Sequence, residues 1–172
     1  TLWNIRELPK RLVVVGGGPI GCELAQTFAR FGSQVTILEG MNRLLLKEDK
    51  EVSDAVRAKF EAEGITVRTG HMVEGFKNEH GSKVVTCNCK PDKLNIECDE
   101  IIMAFGRKAN VTGFGLEELG VEIRKNGTIE ADDFLRTNYP NIYAVGDVTG
   151  PHQFTHFAAH QAWYAAVNSL FS

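Results

Sequence analysis

Apolar positions along the chain change their spacing several times, and each change predicts an element. Arg11 to Val15 is a short β-branched run that ends in glycines, which predicts a strand. From Pro19 to Phe31 the spacing turns helical, with Ile20, Leu24, Phe28 and Phe31 apolar and Gly32 as the stop. Gln34 to Leu38 then alternates into a second strand that closes on Glu39, completing a βαβ unit and implying parallel pairing. Asp49 is placed to cap a helix with Val52, Val56 and Phe60 on one stripe, stopped by Gly64 before a third strand at Ile65 to Arg68.

The rhythm then shortens. His71 to Lys77, Lys83 to Cys89 and Leu94 to Cys98 are joined by brief turns at residues 79–82 and 90–93, which predicts a three-stranded antiparallel meander in place of a third crossover helix. Ile101 to Ala104 returns to a buried parallel strand. Beyond Asn110 come a loop or short helix near Leu116 to Leu119, a hairpin about Lys125-Asn126-Gly127, and one more buried strand at Ile142 to Val145. The last helix, Thr155 to Phe171, spreads Phe157, Ala158, Ala162, Trp163, Ala166, Val167 and Leu170 over nearly all faces, which predicts burial against another surface.

Charge narrows the partners. Lys+Arg 19 against Asp+Glu 22 leaves a net charge of −3 with no block of like charge, so no basic face is offered to nucleic acid or to anionic lipid. The longest apolar runs, Leu12 to Val15 and Ile101 to Phe105, fall far below the ~20 residues that span a bilayer, so no membrane partner is expected. Four cysteines, Cys22, Cys87, Cys89 and Cys98, are too sparse for a disulfide scaffold and fit a reducing cytoplasm. The chain opens at Thr1 with no legible targeting signal, and the expectation is an excised piece of a longer protein.

Seventeen glycines among 172 residues exceed the usual proportion of about 7%, and their positions matter more than their number. Gly16-Gly17-Gly18-Pro19-Ile20-Gly21 fits Gly-x-Gly-x-x-Gly between an expected strand and an expected helix. Gly16 permits the tight turn, Gly18 lets a pyrophosphate approach the backbone, and Gly21 lets helix and strand close up, while Pro19 loses nothing at the first helical position. Exposed amides and the helix dipole then favour a dinucleotide pyrophosphate. Glu39 ends the next strand 23 residues after Gly16, near the ~20-residue spacing at which an acid binds the adenosine ribose hydroxyls. Its charge repels a 2′-phosphate, so NAD(H) is preferred to NADP(H). Arg43, four residues on, is either an ordinary surface arginine or a cation able to rescue NADP binding. Glycines also gather in turns for steric reasons alone, and Glu39 read by itself is an ordinary strand-end acid.

Three motifs together resemble the flavoprotein (pyridine nucleotide) disulfide oxidoreductase family, in its lipoamide dehydrogenase and mercuric reductase branch. The first is Gly16 to Glu23 with Glu39. The second is Ile102 to Asn110, similar to the family's Ala-Thr-Gly-Arg-x-Pro-Asn strand end but departing from it at Phe105 and Ala109. The third is Asn141-Ile142-Tyr143-Ala144-Val145-Gly146-Asp147, resembling the family's second flavin motif. The resemblance covers essentially the whole chain. It implies an α/β fold in which residues 1–110 form an NAD(H)-binding domain, a Rossmann-type parallel sheet with the antiparallel meander. Residues 111–172 follow as a partial α+β central segment that contacts FAD.

The resemblance adds Glu23, Val73, Gly106 and Arg107 to the NAD(H) set, with Glu23 beside the nicotinamide and the backbone of Val73 and Gly106 near the adenosine. It assigns Gly146, Asp147, Gln153 and Thr155 to FAD. Asp147 would accept a hydrogen bond from a ribityl hydroxyl, and the helix opening at Thr155 would point its N-terminus at the flavin pyrimidine edge, where negative charge develops on reduction. Plainer readings stand beside these: Glu23 as a solvated helix acid, Val73 as a core strand residue, Gly106 as a strand-end turn and Asp147 as a turn residue.

In the family, hydride passes from NADH to flavin and on to, or from, a dithiol/disulfide. The upstream FAD domain with its Cys-x-x-x-x-Cys and the C-terminal dimerisation domain with its His-Glu pair have no counterpart here. No catalytic residue is therefore assigned, and the chain alone is expected to be inactive. Cys87 and Cys89 cannot substitute, because same-face neighbours on one extended strand lie about 6.5 to 7 Å apart. Cys22 reads as a small packed helix residue, or alternatively as a thiol whose pKa the helix dipole lowers. His152, His156 and His160 lack a completing ligand, so no metal site is assigned. Ile142 to Val145 would in the family complete the FAD-domain sheet. Its loss of neighbours predicts self-association, as a homodimer. Two rivals remain at this point: a nucleotide-binding module without electron transfer, and a ferredoxin-reductase-like flavoenzyme lacking the disulfide.

Overall fold

The structure, a computed structural model, describes residues 2–79, 81–88 and 93–171. His80, Cys89 and the turn residues Lys90, Pro91 and Asp92 lie outside the described residues. The chain divides into two compact units, Thr1–Gly106 and Arg107–Ser172.

The first unit is built around β1 (Arg11–Val15), whose valines suit a strand buried on both faces. It pairs in parallel with β2 (Gln34–Glu39), from Arg11 opposite Gln34 to Val15 opposite Leu38, and on its other edge with β7 (Glu100–Met103). With β3 (Thr66–Thr69) the sheet order is β3-β2-β1-β7. Helices α1 (Pro19–Arg30) and α2 (Lys50–Ala62) make the parallel crossovers. The period of two along β1 splits the core. Leu12 and Val14 pack with Ala25, Ile37, Phe60 and Ile65, while Val13 and Val15 pack with Leu38, Val85, Cys87 and Cys98.

The second of those faces is covered by the expected meander: β4 (Met72–Glu79), β5 (Ser82–Asn88) and β6 (Lys93–Cys98), antiparallel in the order β4-β5-β6. Arg11 pins it. Its backbone N–H donates to Asp99 Oδ2 at 2.8 Å, and its Nε and Nη2 donate to Asp99 Oδ1 at 3.1 and 2.8 Å. Its Nη1 reaches Glu97 at 3.2 Å, so one guanidinium ties the start of β1 to the β6–β7 corner and holds the Asp99 carboxyl below its ordinary pKa.

Three expectations change. The stripe on α2 is Ser53, Val56 and Phe60, and Val52 is exposed. The Ser53 hydroxyl donates to the Leu44 carbonyl at 2.7 Å, so a polar residue is buried because its hydrogen bond is supplied. β3 begins at Thr66, since the Ile65 amide still bonds to the Phe60 carbonyl and closes α2. Ile142 to Val145 is not a strand: it makes a single bridge, Arg136 with Tyr143, flanked by bonds from Thr137 N to Ile142 O and from Ala144 N to Leu135 O. No ladder extends from it among the described residues, and a strand without a ladder has no backbone partner to order it.

The second unit has a small core of Val121, Ile129 and Ala144. The Asn126-Gly127 signal holds, with the Arg124 amide bonded to the Thr128 carbonyl at 2.7 Å below an Ile123–Ile129 bridge. A single turn, α3 (Leu116–Leu119), precedes it. In α4 (Thr155–Phe171), Ala165 is the buried residue, and Trp163, Leu170 and Phe171 are exposed.

Candidate functional site

The glycine turn sits at the C-terminal end of β1, where open α/β sheets bind ligands. Gly16 has φ +108°, and a Cβ there would lie 2.5 Å from the Ala104 carbonyl oxygen, so only glycine fits. A Cβ on Gly21 would lie 2.0 Å from the Gly16 carbonyl oxygen: α1 closes directly onto the turn, more tightly than onto the strand. Gly18 caps α1 with extended backbone, Pro19 follows at the first helical position, and a Cβ on Gly18 would meet nothing within 4 Å. Gly16, Gly17 and Gly21 are buried and Gly18 is half-buried, so the turn has one open side.

Glu39 reaches back into this turn. Its Oε2 accepts from the Gly17 amide at 2.6 Å and its Oε1 from the Met41 amide at 2.7 Å. Proline 19 and isoleucine 20 are exposed at the mouth of the helix, and Glu23, the fifth residue of α1, is exposed on the same helix. Val73 packs half-buried in β4 against the Val85–Cys87 cluster and pairs with Cys87, with no bond to the turn. Gly106, at φ +128°, ends the first unit beyond β7. Arg43 Nη2 donates to the Leu46 carbonyl at 2.9 Å.

Cys22 settles between its two readings. The thiol is buried under the turn, contacts the Gly17 carbonyl at 3.4 Å, and is pushed up to about 11 by burial and then by the charges of Glu39 and Glu23. Burial and contact with the Gly17 carbonyl favour the packed reading.

Sequence reasoning missed two neighbours. Met72 lies where a Cβ on Gly40 would meet its Cε at 2.8 Å, which puts a thioether beside the residue following Glu39. The Leu45 amide donates to the Gly17 carbonyl at 2.8 Å. Neither has a sequence signal, since Met72 is 33 residues downstream of Glu39 and Leu45 acts through its backbone.

In the second unit, Arg107 joins the residues expected on the flavin side. Its Nη1 lies 2.6 Å from Asp147 Oδ2 and 3.3 Å from the Gln153 carbonyl, while Asp147 Oδ1 has no partner among the described residues. Gly146 is buried at φ +78°, and its amide donates to Gln161 Oε1 of α4 at 2.7 Å, a contact no local pattern announced. Thr155 opens α4 and is exposed. Among the described residues no group of three or more His, Cys, Asp or Glu could hold a metal, and no helix is long and apolar enough to cross a membrane. A concavity of about 640 Å³ lined by Asn4 to Lys10, Asp99 and Glu100 opens at the other end of β1 and contains none of the turn.

A family model described as pyridine nucleotide-disulphide oxidoreductase matches residues 1–167. A dihydrolipoyl dehydrogenase from Chlamydia pneumoniae is 38% identical over 165 residues, which is 96% of this chain and 35% of the relative. One from Staphylococcus aureus is 39% identical over 163 residues, again 35% of the relative's length. Among solved structures, the HOCl-induced flavoprotein disulfide reductase RclA from Escherichia coli superposes with TM-score 0.84 at 32% identity, over 99% of this chain and 38% of that one. The water-forming NADH oxidase from Lactobacillus brevis bound to NADH does so with TM-score 0.85 at 25% identity, over 94% and 37%. The chain thus spans about a third of the length of the relatives it matches.

Proposed function

The chain belongs to the pyridine nucleotide-disulphide oxidoreductase family, and on that premise we propose that it is the NAD(H)-binding portion of an FAD-dependent oxidoreductase. The family's cofactors are NAD(H) and FAD. Bound together, they would supply hydride transfer between nicotinamide and flavin, coupled in the longer protein to a dithiol/disulfide.

The observation that carries the reading is the glycine turn, closed against protein at Gly16, Gly17 and Gly21 and open at Gly18, with Glu39 in contact with it. The opening and the unpaired first-turn amides of α1 fit a pyrophosphate, whose charge the helix dipole stabilises. Each Glu39 oxygen accepts one amide hydrogen and keeps a lone pair for a ribose hydroxyl. Met72, exposed and set against Gly40 next to that acid, offers apolar surface suited to an adenine face. Glu23, exposed on α1, suits a nicotinamide-side role. In the second unit, Asp147 Oδ1, without a partner among the described residues, fits a ribityl hydroxyl, and Arg107 fixes the other oxygen.

Titrating the chain with NADH, read by calorimetry and nicotinamide fluorescence, is expected to show saturable binding that Gly18→Val abolishes. No heat and no fluorescence change with the wild type would overturn the reading.

A further inference from the structure

Gly17 is stitched on one side to the last residue of β2 and on the other to the segment that follows it. Its amide donates to Glu39 Oε2 at 2.6 Å, and its carbonyl accepts from the Leu45 amide at 2.8 Å. A Cβ on Gly17 would fall 2.6 Å from Leu44 Cδ2 and 3.2 Å from the Glu39 Cβ, so the turn is pressed onto the Glu39 stem. The second Glu39 oxygen accepts from the Met41 amide at 2.7 Å and so fixes the carboxylate plane. An acid that only awaited a ribose would need neither contact.

We propose that Glu39 is a positioning residue for the phosphate turn, holding the Gly17 amide and the turn's geometry whether or not ribose hydroxyls are present. This rests on the nucleotide reading above and divides the turn's labour. The Gly17 amide is committed to Glu39, and the amides that remain for the pyrophosphate are those beyond it, at Gly18 and in the first turn of α1.

Glutamine is the informative replacement. It has nearly the same shape but only one acceptor oxygen, and two backbone N–H groups are to be satisfied, so the amide end must face a donor. One of the two bonds is lost, and the turn loosens.

The test compares NADH with an NADH analogue lacking both hydroxyls on the adenosine ribose, titrated into the wild type, Glu39→Gln and Glu39→Asp. Loss of a hydrogen bond to a charged group corresponds to about tenfold or more in affinity. Glu39→Gln is therefore expected to weaken the dihydroxy-free analogue by about tenfold or more relative to the wild type. Equal binding of that analogue to wild type and Glu39→Gln, with a loss confined to NADH, would overturn the proposal. Amide exchange at Gly17 and Met41 in the ligand-free wild type needs no variant, and slow exchange at both is expected. Fast exchange there sinks the positioning role even if the variants do not fold. A wild type that ignores both ligands sinks the nucleotide reading instead, and the exchange result still decides the role of Glu39.

Discussion

The two units spend their apolar residues differently. In the first, every residue of β1 after Arg11 is buried, with alternate side chains feeding two cores, one beneath the helices and one beneath the meander. In the second, three buried residues form the core, and α4 leaves Trp163, Leu170 and Phe171 in solvent. A parallel sheet must be covered on both faces, and in the first unit α1, α2 and the meander do so within the unit. The second unit instead carries a 17-residue helix with one buried residue, Ala165, and with Trp163, Tyr164, Leu170 and Phe171 exposed. Its stability is expected to depend on whatever covers that helix, and the first unit's is not.

The largest effect that would test this contrast is a cavity. Ile37→Ala, at a position with 0% exposure, is expected to cost about 2–5 kcal/mol in the first unit. Leu170→Ala, at 74% exposure, should change stability by no more than ~0.5 kcal/mol. Chemical denaturation with amide exchange read separately in each unit measures both, and equal costs would break the distinction.

Next is self-association. The exposed face of α4 is expected to raise the mass seen in light scattering as concentration increases, and Trp163→Glu with Leu170→Glu is expected to restore the monomer mass without altering exchange in the first unit. A wild type that stays monomeric at high concentration contradicts this.

The smallest effect is in acid. Glu63, after α2, is held by Arg30 at 2.8 Å, Gln26 at 3.0 Å and Lys59 at 3.2 Å, and its pKa drops from the ordinary 4.5 to about 2. Because the folded value lies below the unfolded one, its contribution is complete above about pH 4.5 and disappears as the pH falls through about 2. Thermal melts should show Glu63→Gln less stable than the wild type at pH 6 and equal to it near pH 2, with the gap shrinking in salt. The second unit's own acids, Glu130 beside Arg124 and Asp132 on the Arg136 amide, are also held low, so exchange in that unit should titrate identically in both proteins.

Much of the first unit was legible because its signals are local. The valines of β1, Pro19 at the start of α1 and Gly64 after α2 each act on neighbours a few residues away, and the meander followed from short turns. Ser53 was not legible, since a hydroxyl is buried only where a distant carbonyl, here that of Leu44, receives it. The strand expected at Ile142 to Val145 shows the converse limit. Its composition suits a strand, but pairing is a property of two segments, and its described partners supply one bridge.

The glycine motif and the acid at the end of β2 were set by the amino-acid sequence itself, because steric permission at Gly16 and strand length up to Glu39 are properties of consecutive residues. Only the tertiary structure decided that Glu39 bonds to the Gly17 amide, that Met72 comes to Gly40, and that Arg107 pairs with Asp147. Those contacts join residues 22 to 40 positions apart, and hydrogen bonds of 2.6 Å depend on where packing places each backbone. No period or spacing in the chain encodes that placement.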